Sequence, residues 1–187
     1  THGGALPTNQ GSRFDLSDNP GDGGVTITNE LVLVDGLDSS GRIHSGGGLE
    51  FGAGGFVYVA TGDGGFGSAL SQDTERLEGK ILRITRDGVA APGNPFIGDP
   101  GYRPEIYCLG LRNPFRMARK PGAAEMFVND VGYTQWEEVN QVLPGANYGW
   151  PFEEGPATSF TGPRYAYFHD APSNAVTGGV FYEGSEF

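Results

Sequence analysis

The stretch His44–Gly65 reads HSGGGLEFGAGGFVYVATGDGG. Two apolar runs, Gly48–Phe51 and Phe56–Thr61, flank the glycine-rich Gly52–Gly55, a pattern that predicts a β-hairpin. Within the second run Phe56, Tyr58 and Ala60 alternate with Val57, Val59 and Thr61. Both rows are largely apolar, as expected of a strand in a sheet covered on its two faces. Glycines crowd both ends of the hairpin, so the backbone there can bend sharply, and His44 and Asp63 sit in those bends.

Outward from this hairpin the same signals recur. Lys80–Thr85, Glu105–Leu109, Phe115–Arg119, Glu125–Asn129 and Glu137–Val142 read as short strands, as do Ser12–Leu16 and Glu30–Val34 upstream. Val176–Tyr182 reads as one more. Thr1–Gly11, the turn-rich Ser17–Gly24, Gly36–Ser45, Gly62–Gln72, Ala90–Arg103 and most of Phe152–Tyr167 read as connections, with a turn at Arg86–Gly88. Asp73–Glu78 is expected to make a short helical turn, and no amphipathic helix is predicted anywhere. Many short strands at even spacing fit a sandwich, a barrel or a propeller. Propeller blades take roughly 40–50 residues each, which would give about three to four blades here.

Composition narrows the classes. The chain has 187 residues, with 33 Gly, 13 Pro and 12% aromatic residues. One domain spanning 1–187 with a real core is expected. The aromatic and β-branched content argues against disorder despite the glycine. The formal net charge of −11 repels a phosphate backbone, so nucleic acid is excluded as a partner. The same acidity suits oxygen-coordinated Ca²⁺. No apolar run is long enough to span a bilayer. Cys108, the single cysteine, can form no internal disulfide, and its neighbours Ile106, Tyr107 and Leu109 mark it as a buried strand thiol.

Taken singly, the polar residues of the loops are ambiguous. His44 reads as a turn residue or as an acid–base group. Asp63 reads as an ordinary Asp-Gly turn or as a partner for a histidine. Arg112-Asn113 reads as a surface arginine before a pre-proline turn or as an anion contact. Glu138 reads as a solvated carboxylate or as a cation ligand. Trp136 and Trp150 read as core packing.

The order of the motifs is more specific than any one of them. HSGGGLEFGAGGFVYVATGDGG is followed by LEGKILRITRDG, NPF, EIYCLGLRNPFR, DVGYTQWEEVN, GANYGWP and EEG, with AVTGGVFYEG near the end. This series resembles the glucose/sorbosone dehydrogenase family, which includes soluble quinoprotein glucose and aldose sugar dehydrogenases. The resemblance implies an all-β propeller of four-stranded antiparallel blades, six in the whole family fold. It also implies oxidation of an aldose at its C1 hydroxyl, with hydride passed to pyrroloquinoline quinone.

By the same resemblance His44 is the general base, Asp63 its partner, and Arg112 and Asn113 contacts of the quinone, with Arg116 of uncertain role. Gly132 and Tyr133 match positions whose carbonyls hold the Ca²⁺ beside the cofactor. Tyr133 stands where the glucose enzyme of the family has proline, which a carbonyl ligand tolerates. Glu138 and the carbonyl of Tyr148 match a second, structural Ca²⁺ site. Ile43 replaces the acid that precedes the histidine in the glucose-specific branch, favouring a broader aldose enzyme.

The resemblance further implies a periplasmic or extracellular location and a small sugar as partner. The alternatives are a non-enzymatic binding propeller and an inactive internal fragment that self-associates. In that last case the row Phe56, Tyr58 and Ala60 is expected on an open face.

Overall fold

A computed structural model describes residues 8–19, 21, 23–65, 69–169 and 174–186. Among these residues ten strands form three antiparallel sheets. β1 (Thr8–Asn19) and β2 (Gly24–Asp38) make a two-stranded ribbon. β3 (Leu49–Phe51), β4 (Val57–Thr61), β5 (Lys80–Ile84) and β6 (Ile106–Leu109) make a four-stranded meander. β7 (Pro114–Arg119), β8 (Met126–Asp130), β9 (Trp136–Gln141) and β10 (Tyr165–Phe168) make a second. The first strands are the meeting line, since β7 lies against both β3 and β4. Successive four-stranded meanders stacked through their faces are β-propeller blades.

The alternating pattern of β4 explains the stacking. Val57 and Val59 pair with Ile84 and Leu82 and turn toward the ribbon, where Val34 and Leu37 complete an apolar cluster. Ala60, Ile81 and Cys108 form a row on the opposite face and pack on Met117, Met126 and Val128 of the second meander. Each such buried aliphatic side chain contributes on the order of 1.5–3 kcal/mol. The row expected on an open face is therefore inside the seam: Ala60 is buried and Tyr58 packs against the same cluster. Exposed apolar side chains include Leu49 and Phe51 of β3 and, on the ribbon, Leu16 and Ile27, which face each other in register and are 69% and 63% exposed.

Several boundaries differ from the sequence reading. β1 and β2 reach well beyond Ser12–Leu16 and Glu30–Val34, taking in residues assigned to connections. Their ladder is held partly by polar cross-strand contacts, such as Ser12 with Glu30 at 2.8 Å and Asn29 with Asp15 at 3.0 Å, which no apolar pattern reveals. The helical turn lies at Ala69–Ser71, not at Asp73–Glu78. β10 falls at the end of a stretch read as loop.

Val176–Tyr182 carries strand-forming residues but is no strand, and its Val176 N–H goes to the Glu137 carboxylate. It is anchored by side chains instead, with Phe181 edge-on to Phe127 at 5.5 Å between ring centres.

Meander topology then gathers the loops. In an antiparallel meander the start of one strand and the end of the next lie at the same edge. His44 (before β3), Asp63 (after β4), Arg112 (before β7) and Gly132 (after β8) therefore share one end of the sheets. After β9 the chain turns back beside β6, bridging Asn147 to Leu109 in parallel, and this return delivers Trp150 to the same end.

Candidate active site

His44 is set by a strained bend. Its φ is 52°, in the left-handed region that side chains other than glycine rarely adopt, as is that of Arg42 at 60°. The bend is tight against β4. A Cβ on Gly62 would sit 1.8 Å from the His44 carbonyl oxygen, and one on Gly46 would meet the backbone of Ala60 to Gly62. The glycines read in the sequence as turn formers are thus needed for close backbone approach.

The histidine meets Asp63 across this bend. His44 Nδ1 lies 2.7 Å from Asp63 Oδ1, with the acid fully buried and the imidazole 14% exposed. Gly65 N–H also donates to Oδ1 at 2.8 Å, and the indole N–H of Trp150 donates to Oδ2 at 2.9 Å. Burial alone would raise the Asp63 pKa, but these donors, His44 foremost, outweigh it and hold the carboxyl below its ordinary value. An ionised carboxylate only accepts, so the imidazole donates to it from Nδ1, and in the neutral ring Nε2 is then the acceptor.

Arg112 is the cation of the site. One guanidinium nitrogen donates to the carbonyls of Val131 at 2.9 Å and Gly132 at 2.5 Å, while buried Nε has no partner among the described residues. The guanidinium lies 5.3 Å from the ring centre of Tyr133 and 5.5 Å from that of Trp150. Its backbone is fixed by Asp130, whose two carboxyl oxygens accept from the N–H groups of Arg112 and Asn113 at 2.9 and 2.6 Å. Arg112 O in turn accepts from Asp63 N–H at 2.8 Å, tying the two meanders together at the site. Arg116 points away from this turn, with its guanidinium over Phe115.

These groups face one open cavity of about 650 Å³ whose wall includes His44, Arg112, Tyr133, Trp150, Phe152 and Glu154. Ile43 stands at its edge, 54% exposed. A planar, anionic, aromatic group suits this wall: the Arg112 guanidinium stands beside the rings of Tyr133 and Trp150, whose centres are 6.1 Å apart, and the acids of the wall are hydrogen-bonded to their neighbours. Glu153 accepts from Thr158 and Ser159, and Glu154 from the backbone N–H of Tyr133.

Of the residues singled out in the sequence, the structure brings His44, Asp63, Arg112, Gly132 and Tyr133 together, with Asn113 adjoining. Glu138 and Tyr148 lie beneath, around a separate small cavity that Asp130, Gly132 and Arg112 also line. Glu138 is buried and accepts from Gly155 N–H at 2.5 Å and Asn140 at 3.0 Å. Burial raises its pKa, and burial with the charge of Glu138 raises that of Asp130 well above the ordinary carboxylate value. The donors here are carboxylate and carbonyl oxygens, and the buried Asn140 Oδ1 has no partner among the described residues. This chemistry suits a hard cation, although no three His, Cys, Asp or Glu side chains among the described residues surround a common point. Cys108 is buried and its thiol is pushed up to about 12, so it is inert.

Trp150 corrects the sequence reading. It is no core residue: its ring walls the cavity and its N–H holds Asp63. Asp130 was also missed, although it stands two residues before Gly132 in NDVGY.

A β-propeller with a histidine–carboxylate pair and a guanidinium converging on one cavity defines an enzyme-like site. Residues 8–187 match the model of the glucose / sorbosone dehydrogenase family, and the chain belongs to that family. It is 33% identical over 158 residues to the aldose sugar dehydrogenase YliI of Escherichia coli, covering 77% of this chain and 42% of that protein. It is 28% identical over 169 residues to quinoprotein glucose dehydrogenase B of Acinetobacter calcoaceticus, covering 81% of this chain and 34% of that one. The PQQ-bound aldose sugar dehydrogenase of Streptomyces coelicolor superposes with a TM-score of 0.73 at 36% identity, over 84% of this chain and 45% of that one. The chain thus spans less than half the length of these relatives.

Proposed function

We propose that this chain forms the acid–base half of a quinoprotein aldose dehydrogenase. The observation that carries the reading is the His44–Asp63 pair facing Arg112 across one cavity. Nε2 of His44 takes the proton of the sugar C1 hydroxyl as the C1–H bond breaks. Asp63 holds the ring by Nδ1–H and stabilises the imidazolium that forms. Pyrroloquinoline quinone, when bound, would supply the two-electron acceptor for the C1 hydride. Arg112 and Asn113 would hold it, and the guanidinium would offset negative charge growing on its oxygen. Tyr133 and Trp150 restrict water on that side of the cavity. Ile43 offers the substrate an apolar edge, which favours an aldose class broader than glucose.

The carbonyls of Gly132 and Tyr133 would hold Ca²⁺ beside the quinone. Gly132 O already accepts from Arg112, and the second lone pair of a carbonyl leaves room for a cation. Glu138 with the carbonyl of Tyr148 would hold a second Ca²⁺, offsetting the buried charge shared with Asp130. Among the described residues no helix is long and apolar enough to cross a membrane, and the resemblance favours action in the periplasm or outside the cell.

The test is reconstitution of the protein with quinone and Ca²⁺, an aldose and a reducible dye. Sugar-dependent dye reduction lost on omitting the quinone is expected; no reduction under any loading overturns the reading. For the buried cation, excess chelator should lower the melting temperature, since an ion bound only by the folded state stabilises it. An unchanged melting temperature with the ion shown to be gone would retire that site. The exposed Leu16–Ile27 face favours a second role, self-association, which light scattering that finds only monomer would dismiss.

A further inference from the structure

Two groups at the site are not explained by proton transfer or by quinone binding: the indole of Trp150 and the amide pair behind it. Asp63 is fully buried, and its two oxygens are not equivalent. Oδ1 takes His44 and Gly65, whereas Oδ2 takes Trp150 as its donor among the described residues. A carboxylate rotates about its Cβ–Cγ bond unless both oxygens are held. The Trp150 N–H is thus the contact that keeps Oδ1 aimed at the imidazole.

Trp150 is itself held in place. Gln72 Nε2 donates to the Trp150 carbonyl at 2.7 Å and to Asn147 Oδ1 at 3.0 Å, and Asn147 Nδ2 returns a bond to Gln72 Oε1 at 2.7 Å. The backbone N–H of Trp150 donates to Gly110 O at 3.0 Å. Gly110 leaves no room for slack, since a Cβ there would lie 2.2 Å from Asn147 Oδ1. The clamp joins three separate connections, those containing residues 72, 110 and 147–150, and ends on the carboxylate.

We propose that Trp150 is a positioning residue for the His44–Asp63 pair, locking the Asp63 carboxylate through its indole N–H, and that Gln72 and Asn147 hold the indole in register. The proposal rests on the reading of His44 as the base. It assigns Trp150 no contact with the reacting atoms. Its consequence is electrostatic as well as geometric. A donor on Oδ2 draws negative charge away from Oδ1, so removing it makes the carboxylate a stronger partner for imidazolium while freeing it to turn.

The test is Trp150→Phe, which keeps a ring and deletes the N–H. The His44 ring is followed by nitrogen NMR as pH is varied, without sugar or quinone. The imidazole titration is expected to move up by about half a pH unit, the size of a lost hydrogen bond to a partner carboxylate. With quinone and aldose the maximal rate should fall about tenfold, with quinone affinity within about twofold of the parent, as loss of one charge-assisted hydrogen bond predicts. Gln72→Met should shift the titration the same way by less, and stands in if the phenylalanine variant does not fold.

A titration unmoved in both variants overturns the proposal. So does a rate loss matched by an equal loss of quinone affinity, which would make Trp150 a wall of the cofactor site. A titration that moves in a protein that oxidises no sugar supports the positioning role and refutes the dehydrogenase reading.

Discussion

Among the described residues are two histidine–carboxylate pairs of nearly identical dimensions. His44 Nδ1 and Asp63 Oδ1 are 2.7 Å apart, as are His169 Nε2 and Glu137 Oε1. In each the acid is fully buried and the imidazole 14% exposed. Both stand at the same end of the sheets, since His169 follows β10 and donates its backbone N–H to Gln135. Their surroundings differ. Asp63 is braced by a side-chain donor, and His44 opens on the large cavity. Glu137 accepts instead from the backbone N–H groups of Gly132 and Val176, and His169 is absent from that cavity wall. On the proposed reading one pair exchanges a proton with a substrate, while the other fastens chain segments together. Distance and burial within a pair do not distinguish these uses; the presence of an adjoining cavity does.

The largest expected effect sharpens this contrast. His44→Ala should lower the rate of sugar oxidation by about 10²–10⁴-fold, the usual contribution of a positioned base, with quinone affinity little changed. His169→Ala should change the rate by less than about threefold. Steady-state rates on the two variants decide it, and a comparable loss in both would erase the distinction drawn here. Asp63→Asn comes next. An amide can present N–H to the ring and favour the wrong tautomer, so a loss of about a hundredfold or more is expected, visible in the same assay. The corresponding Glu137→Gln should leave turnover near the parent value.

In stability the two pairs should be alike, since each histidine partners a fully buried carboxylate. His169→Ala removes a partner from a buried carboxylate that ties β9 to the terminal segment, and should cost about 1–3 kcal/mol in denaturant unfolding. The smallest effect is in pH. Asp63 is held below its unfolded value, so its contribution is present above the ordinary carboxylate range and is lost as pH falls through the folded value. The stability gap between the parent and Asp63→Asn should therefore narrow as pH drops below about 4. A gap that stays constant from neutral pH to below 3 would show that Asp63 is not held ionised by its donors.

Much of this was open to reading because it is local. The alternation of Phe56–Thr61 and the glycines around it locate β4 and both bends of the site, and GLRNP locates the turn of Arg112. What escaped depends on partners distant in sequence. Trp150 and Asp63 are 87 residues apart, and only the return of the chain beside β6 brings the indole to the carboxylate. β10 has just four residues, Tyr165–Phe168, after a proline- and glycine-rich run, and it is a strand because Val139, Glu138, Glu137 and Trp136 pair with it. Val176–Tyr182 has better strand residues but is no strand, and its Val176 N–H goes to a side chain. The polar ladder of β1 and β2 carries little apolar alternation, so only its centre was legible. The role of Glu137 was hidden in the same way, behind an adjacent pair of identical acids whose members face different neighbours.

His44 and Asp63 hang from the first meander, and the guanidinium of Arg112 from the second. Gly48, just ahead of β3, lies where the two sheets touch: a Cβ there would come to 2.9 Å from the Phe115 carbonyl oxygen and 3.3 Å from the Ala60 side chain. This hydrogen-sized gap acts as the calliper of the site. The width between the halves is thus held by this missing methyl group together with the Asp63 N–H bond to Arg112 O, and on the proposed reading a side chain at position 48 would slow the reaction without touching anything that reacts.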